Sequence, residues 1–115
     1  MSVLRVEMLV MTDSPKQVIT LDDLRARRDE ILRLAEQHGA SNVRIFGSVA
    51  RGEARPDSDV DILVTMHEDA SMFDLVGLWL ALKDLLGCEV SLIEDEIEPR
   101  QERFMRNVLR DAVPL

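Results

Sequence analysis

At 115 residues, with 46% apolar and 31% charged content, the chain holds material for one packed domain and no second core. Its net charge of −8, from 22 acidic against 14 basic residues, works against broad nucleic-acid binding, which must neutralise many phosphates at once. No run approaches the roughly eighteen apolar residues that cross a bilayer, no secretory pattern opens the chain, and a single cysteine, Cys88, excludes an internal disulfide or cysteine-based zinc site. A cytoplasmic protein is the expectation.

Residues 1 to 19 read as an extended arm ending after Ser14-Pro15. Its Val3, Leu4, Val6, Met8, Leu9 and Val10 suit an edge strand, a docking segment or an unfolded lead-in. The folded domain then spans 20 to 115. Thr20 with Asp23 forms a capping-box pair, opening a helix to about His38, with Leu24, Ile31, Leu34 and Ala35 toward the core and Gly39 as its stop. Val43 to Phe46 is a short strand broken by Gly47-Ser48. A helical turn or two covers Val49 to Glu53, and Arg55-Pro56-Asp57-Ser58 is a loop.

Val60, Ile62 and Val64 alternate with Asp59, Asp61 and Leu63, which marks a second strand. Ser71 and Asp74 cap a third helix to Leu86, closed by Gly87. That helix is apolar around more than half its circumference, where a surface helix needs one stripe. Part of the excess fits under the sheet; the rest suits an interface. Glu89 to Ile93 is a third strand, and Pro99 opens a last helix to about Asp111, with Ile97, Phe104, Val108 and Ala112 on its buried side. The expected architecture is a small α/β (α+β) sandwich, a short mixed sheet of about three to four strands flanked by about four helices.

Chemistry concentrates in two segments, Ile45-Phe46-Gly47-Ser48-Val49-Ala50-Arg51-Gly52-Glu53 and Ser58-Asp59-Val60-Asp61-Ile62-Leu63-Val64. A strand that runs into Gly-Ser lets the backbone approach a ligand without a Cβ clash. Free N–H groups at the helix start and the Ser48 hydroxyl can donate to phosphate oxygens. It is not a P-loop, since Glu53-Ala54 stands where Lys-Ser/Thr is required. Asp59 and Asp61 lie two apart on a strand, so both carboxylates project from one face. Such a pair repels itself unless a cation lies between, and Mg²⁺ favours one or two protein carboxylates plus substrate phosphates.

Gly47-Ser48, ten intervening residues and Asp59-Val60-Asp61 resemble the signature of the DNA-polymerase-β-like nucleotidyltransferases. The short length, Arg51-Gly52, Ser58 and the closing Arg110-Asp111-Ala112-Val113-Pro114-Leu115 look like the minimal branch. Its MntA-like members are antitoxins paired with HEPN-domain ribonuclease toxins. The resemblance covers about residues 21 to 115, making 20–115 the nucleotidyltransferase domain. It implies Mg²⁺-dependent transfer of AMP from ATP to a tyrosine of the HEPN partner, in a hetero-oligomer without nucleic acid or membrane. Gly47 and Ser48 would hold the triphosphate, with Ser48, Asp59 and Asp61 as the catalytic set. Asp59 and Asp61 would ligate the metal, and Arg51 and Ser58 would support the phosphates or orient the loop.

The family pattern carries a third carboxylate on the next strand. Here that position reads Ser91, within Glu89-Val90-Ser91-Leu92-Ile93, and serine is neither a neutral-pH base nor an anionic ligand. Glu89 shares its parity one strand repeat away; Glu94 has the opposite parity. Either two carboxylates suffice, or the domain neutralises its toxin by complex formation alone. His38 and His67 lack partners at ligand spacing and read as capping or exposed groups. Glu68, Asp69 and Glu94-Asp95-Glu96 read as solvated charges, and Arg100, Arg103, Arg106 and Arg110 as the exposed side of the last helix, open to solvent or an acidic toxin surface.

Overall fold

Thr20 starts the folded chain with a reciprocal cap: its hydroxyl accepts from Asp23 N–H, and Asp23 carboxylate accepts from Thr20 N–H at 2.9 Å. The computed structural model describes residues 18–95 and 102–115. In chain order these form α1 (Leu21–Ala26), α2 (Arg28–Gln37), β1 (Ala40–Phe46), α3 (Gly47–Arg51), β2 (Val60–Met66), α4 (Met72–Leu86), β3 (Val90–Glu94), α5 (Glu102–Asp111) and β4 (Val113–Pro114). The arm up to residue 17, Ile97, Pro99, Arg100 and the side chains of Arg103 and Phe104 lie outside the described residues. Ile19, expected in the arm, packs against the main core.

The sheet order is β3-β2-β1-β4. β1 is antiparallel to β2 and to β4, while β2 and β3 run parallel. Alternation along β2 sorts its side chains between two layers. Val60, Ile62 and Val64 join Leu24, Ile31, Ala35, Val43, Ile45, Leu78 and Leu82 in the main core under α1, α2 and α4. Leu63 turns the other way and packs with Phe46, Met105 and Val108 of α5. Asp61 shares the parity of Leu63 and so belongs to the α5 side of the sheet.

Two features departed from the linear pattern. The single helix expected from Thr20 to His38 is split at Arg27, whose N–H donates to Leu24 O at 3.0 Å in a tight turn. Its guanidinium reaches Leu85 O on α4 at 2.8 Å, a bond across 58 positions that local periodicity cannot reveal. The chain also ends in a strand: Val113 pairs with Ile45 and Pro114 with Arg44, and Leu115 N–H donates to Val43 O at 3.1 Å. Within β1, the register shifts between Ser41 and Arg44, where Asn42 adopts φ 51°. Asparagine tolerates that left-handed conformation better than most residues.

α4 is anchored by its Ser71–Asp74 capping box and by Trp79, whose Nε1 donates to Val90 O at 2.7 Å. Leu78 and Leu82 are fully buried on its inner face. Leu78→Ala should cost about 2–5 kcal/mol, because the surrounding layer cannot close over the lost volume. Urea denaturation at constant m-value would measure it.

Candidate active site

The strand-to-helix junction sets the site. Phe46 ends β1 in extended backbone, and Gly47 opens α3 at φ 71°, a left-handed value that disfavours any Cβ. The constraint is also spatial. A Cβ on Gly47 would fall 2.1 Å from Asp61 Oδ2 and 3.0 Å from its Cγ. Backbone and carboxylate are therefore in direct contact, across two neighbouring strands where Phe46 pairs with Asp61. α3 spans only five residues, so its donors act as individual N–H groups beside the Ser48 hydroxyl.

Asp61 is half-buried, while Asp59 sits exposed two residues earlier at the entrance to β2. Burial pushes the Asp61 carboxyl above its ordinary range, the Asp59 charge pushes it further, and the Arg51 charge pulls it partly back. Two crowded carboxylates of this kind are hard oxygen donors for a divalent cation. Mg²⁺ fits them, since it keeps several positions for water and phosphate oxygens. Among the described residues, no group of three or more His, Cys, Asp or Glu side chains is arranged to hold a metal.

The structure fixes the surroundings of the other expected residues. Ser58 hydroxyl accepts from Arg55 N–H at 2.8 Å, and Ser58 N–H donates to Arg55 O at 2.9 Å. Those bonds close the loop that delivers Asp59 to the sheet. Arg51 donates to Asp111 at the end of α5 at 2.9 Å and lies 3.5 Å from Glu53. The Asp111 bond raises its pKa further, so its charge is permanent. This ion pair joins α3 to α5 over 60 positions, and nothing in the local sequence marks it.

Ser91 stands beside Asp61 in the parallel β2–β3 register, at the position the family resemblance assigns to a third carboxylate. Glu89 lies just before β3, its carboxylate 3.4 Å from Lys83 Nζ on α4, while its carbonyl accepts from Val60 N–H at 3.0 Å. Glu94 pairs with Val64, three rungs from Asp61. Asp95 is not the solvated charge that its acidic neighbourhood suggests. It accepts from Thr65 Oγ1 at 2.5 Å and from Arg44 Nη2 at 2.8 Å, clipping the β3 end across β2 to β1. His38 Nδ1 donates to Leu34 O at 2.9 Å, the capping role expected of it, and His67 is exposed.

Residues 25–114 match the model of the nucleotidyltransferase domain. The chain belongs to that family. It is similar to protein adenylyltransferase MntA of Thermococcus cleftensis, at 45% identity over 70% of this chain and 79% of that protein. A solved structure provisionally described as a minimal nucleotidyltransferase superposes with a TM-score of 0.72 at 48% identity, covering 84% of this chain and 97% of that one. A toxin–antitoxin crystal structure with AMP-PNP shares the fold alone, at TM-score 0.63 and 19% identity over 75% of this chain and 69% of that one. The chain is thus a nucleotidyltransferase of the minimal, MntA-like branch. No helix among its described residues is long and apolar enough to cross a membrane.

The geometry of this nucleotidyltransferase generates two expectations. Gly47→Ala sets a methyl group against Asp61 and forces the left-handed turn to move, so ATP affinity, read by isothermal titration calorimetry, should fall at least about tenfold, with a loss of about 1–3 kcal/mol of stability. The second concerns pH. Asp61's folded pKa lies above its unfolded value, so the folded state binds more protons. Without divalent cation, its contribution to stability declines as pH rises from near 3.8 through the raised value. Asp61→Asn should therefore melt higher than the natural protein at neutral pH, with the gap closing toward acid and on adding Mg²⁺. Circular-dichroism melts would show it; a gap that widens in acid would refute the crowding.

Proposed function

We propose that this nucleotidyltransferase is an antitoxin that moves AMP from ATP onto a tyrosine of a HEPN-domain toxin and thereby silences it. The observation that carries the reading is the contact of the Gly47 backbone with the half-buried Asp61 carboxylate, with exposed Asp59 two residues before it. The similarity to a protein adenylyltransferase supports the reaction class, and the fold shared with a toxin–antitoxin structure supports the setting.

Each residue has a part that follows from its surroundings. Gly47 leaves room for the Asp61 carboxylate against the backbone, and the Ser48 hydroxyl and the N–H groups of α3 would donate to phosphate oxygens. Asp59 and Asp61 would hold Mg²⁺, which when bound neutralises the phosphate oxygens as charge moves to the leaving group. Arg51, kept charged and aimed by Asp111, adds positive potential beside Asp61. Ser58 shapes the loop that carries Asp59.

The acceptor's phenol oxygen forms a bond to the α-phosphorus, the bond between that phosphorus and the bridging oxygen breaks, and pyrophosphate departs. The phenolic proton passes to water, since Ser91 cannot take it at neutral pH. These 115 residues contain no tyrosine, so a tyrosine acceptor lies outside them.

Ser91 favours a second reading, in which the domain binds its toxin without modifying it. Asp61's neighbour on the adjacent strand offers no charge, and Glu89 is engaged with Lys83. Intact mass of a purified HEPN-domain protein, incubated with this chain, ATP and Mg²⁺, separates the two. Under the transfer reading the mass rises by whole adenylate units, and Asp61→Asn slows the step about a hundredfold or more. No rise with the natural chain, but a rise with Ser91→Asp, would leave the binding reading in place.

A further inference from the structure

The outer face of α4 is apolar where a surface helix is ordinarily polar. Met72, Phe73, Val76 and Leu80 are 68%, 88%, 43% and 53% exposed, and the last three follow helical spacing on one stripe. Val76 also borders a cavity of about 360 Å³ lined by Leu75, Val76, Trp79, Val90, Ser91 and Leu92. The ridge therefore runs without interruption into a groove at the edge of the sheet.

That edge is open among the described residues. β3 ends the sheet order, with β2 on one side and no described strand on the other. Glu89 O and Asp95 N–H bond to β2, so in a parallel ladder the alternate residues point outward. Val90 O is taken by Trp79, which leaves the Leu92 N–H and C=O on the outer side. An apolar ridge, a groove and outward backbone groups together describe a docking surface rather than scattered exposed residues.

We propose that the α4 ridge and the β3 edge dock the acceptor protein, through an apolar patch on that protein ringed by arginine and lysine. The inference rests on the transfer reading above and adds where the partner sits. Ser91 supplies the link through β3: it is among the groove's lining residues and is the register neighbour of Asp61, with which it shares the α5-side parity, while Val90 and Leu92 of the groove pack on the α4 side. An occupant of the β3 edge thus lies about two strand spacings, roughly 9–10 Å, from β2, the strand that carries the carboxylates.

Charge selects the partner's chemistry. Exposed Glu68 and Asp69 precede the ridge, exposed Asp84 continues its stripe one turn beyond Leu80, and exposed Glu89 flanks the groove. The one basic side chain of α4, Lys83, is held by Glu89 at 3.4 Å and lies 4.6 Å from the Trp79 ring centroid. A second copy of this chain would set the same acidic rim against itself, on a chain of net charge −8. A basic-rimmed partner meets the rim with opposite charge.

The test uses a purified HEPN-domain protein from the same organism as probe, with association read by sedimentation velocity and transfer by intact mass. Phe73→Glu combined with Leu80→Glu should weaken the complex about a hundredfold, while the melting temperature and ATP affinity stay at natural values. Asp84→Lys should slow association about tenfold at low salt and little at high salt. Asp61→Asn should leave the complex intact. Association lost with the double variant, but no transfer by the natural chain, upholds the docking surface and removes the transfer reading. Transfer and association both unchanged in the double variant overturn the surface and leave transfer standing. A natural chain that dimerises alone through Phe73, or one that neither binds nor modifies the probe, overturns the proposal.

Discussion

The site depends on how closely a strand can bring a carboxylate to a neighbouring backbone. β1 and β2 are ordinary antiparallel partners, yet at their shared end Asp61 faces a residue without a side chain. Any other residue at Gly47 would meet that carboxylate, and the positive φ adds a second objection. The close approach concentrates donors and negative charge in one small volume. Burial and the Asp59 charge both oppose ionisation of Asp61, so the bare site is electrostatically strained. A cation and a polyanion together would relieve that strain, which is the physical basis of the proposed binding site.

The rest of the molecule holds this contact in register. The main core clamps the α2 and α4 layer on one side of β2, and α5 covers Leu63 on the other. α5 is itself tied to α3 through Arg51 and Asp111, so the short helix after Gly47 is braced from outside the sheet. At the opposite end of β2, Thr65, Asp95 and Arg44 stitch three strands together. The register that sets Ser91 beside Asp61 is thus fixed at both ends. This arrangement makes Ser91 a residue of consequence rather than a remote substitution.

The sheet edge beyond Ser91 gives the site a direction. Beside Asp61 lie β1 with its glycine turn on one flank and β3 on the other, and beyond β3, on the α4 side of the sheet, lie the groove and the apolar ridge. Under the proposed readings, nucleotide chemistry and protein recognition would occupy different sides of the sheet.

Much of this was legible in the linear chain. The weight on Ser91 came from the family resemblance, while Gly47-Ser48 after a strand, the Asp59–Asp61 alternation and the Ser71–Asp74 box depend on local backbone rules, which act over two to four residues. For the same reason the sequence by itself determined the strand order along the chain, the buried faces of β2 and the pair of carboxylates. Tertiary structure decided what joins distant segments: the bond from Arg27, where the first helix breaks, to Leu85 O, the pairing of Val113–Pro114 with β1, and the capture of Asp95 and Asp111 by arginines. It also decided which apolar residues of α4 remain exposed, since periodicity shows an excess but not what the sheet leaves uncovered. Contacts between residues tens of positions apart arise only when packing brings them together, and no short pattern records that.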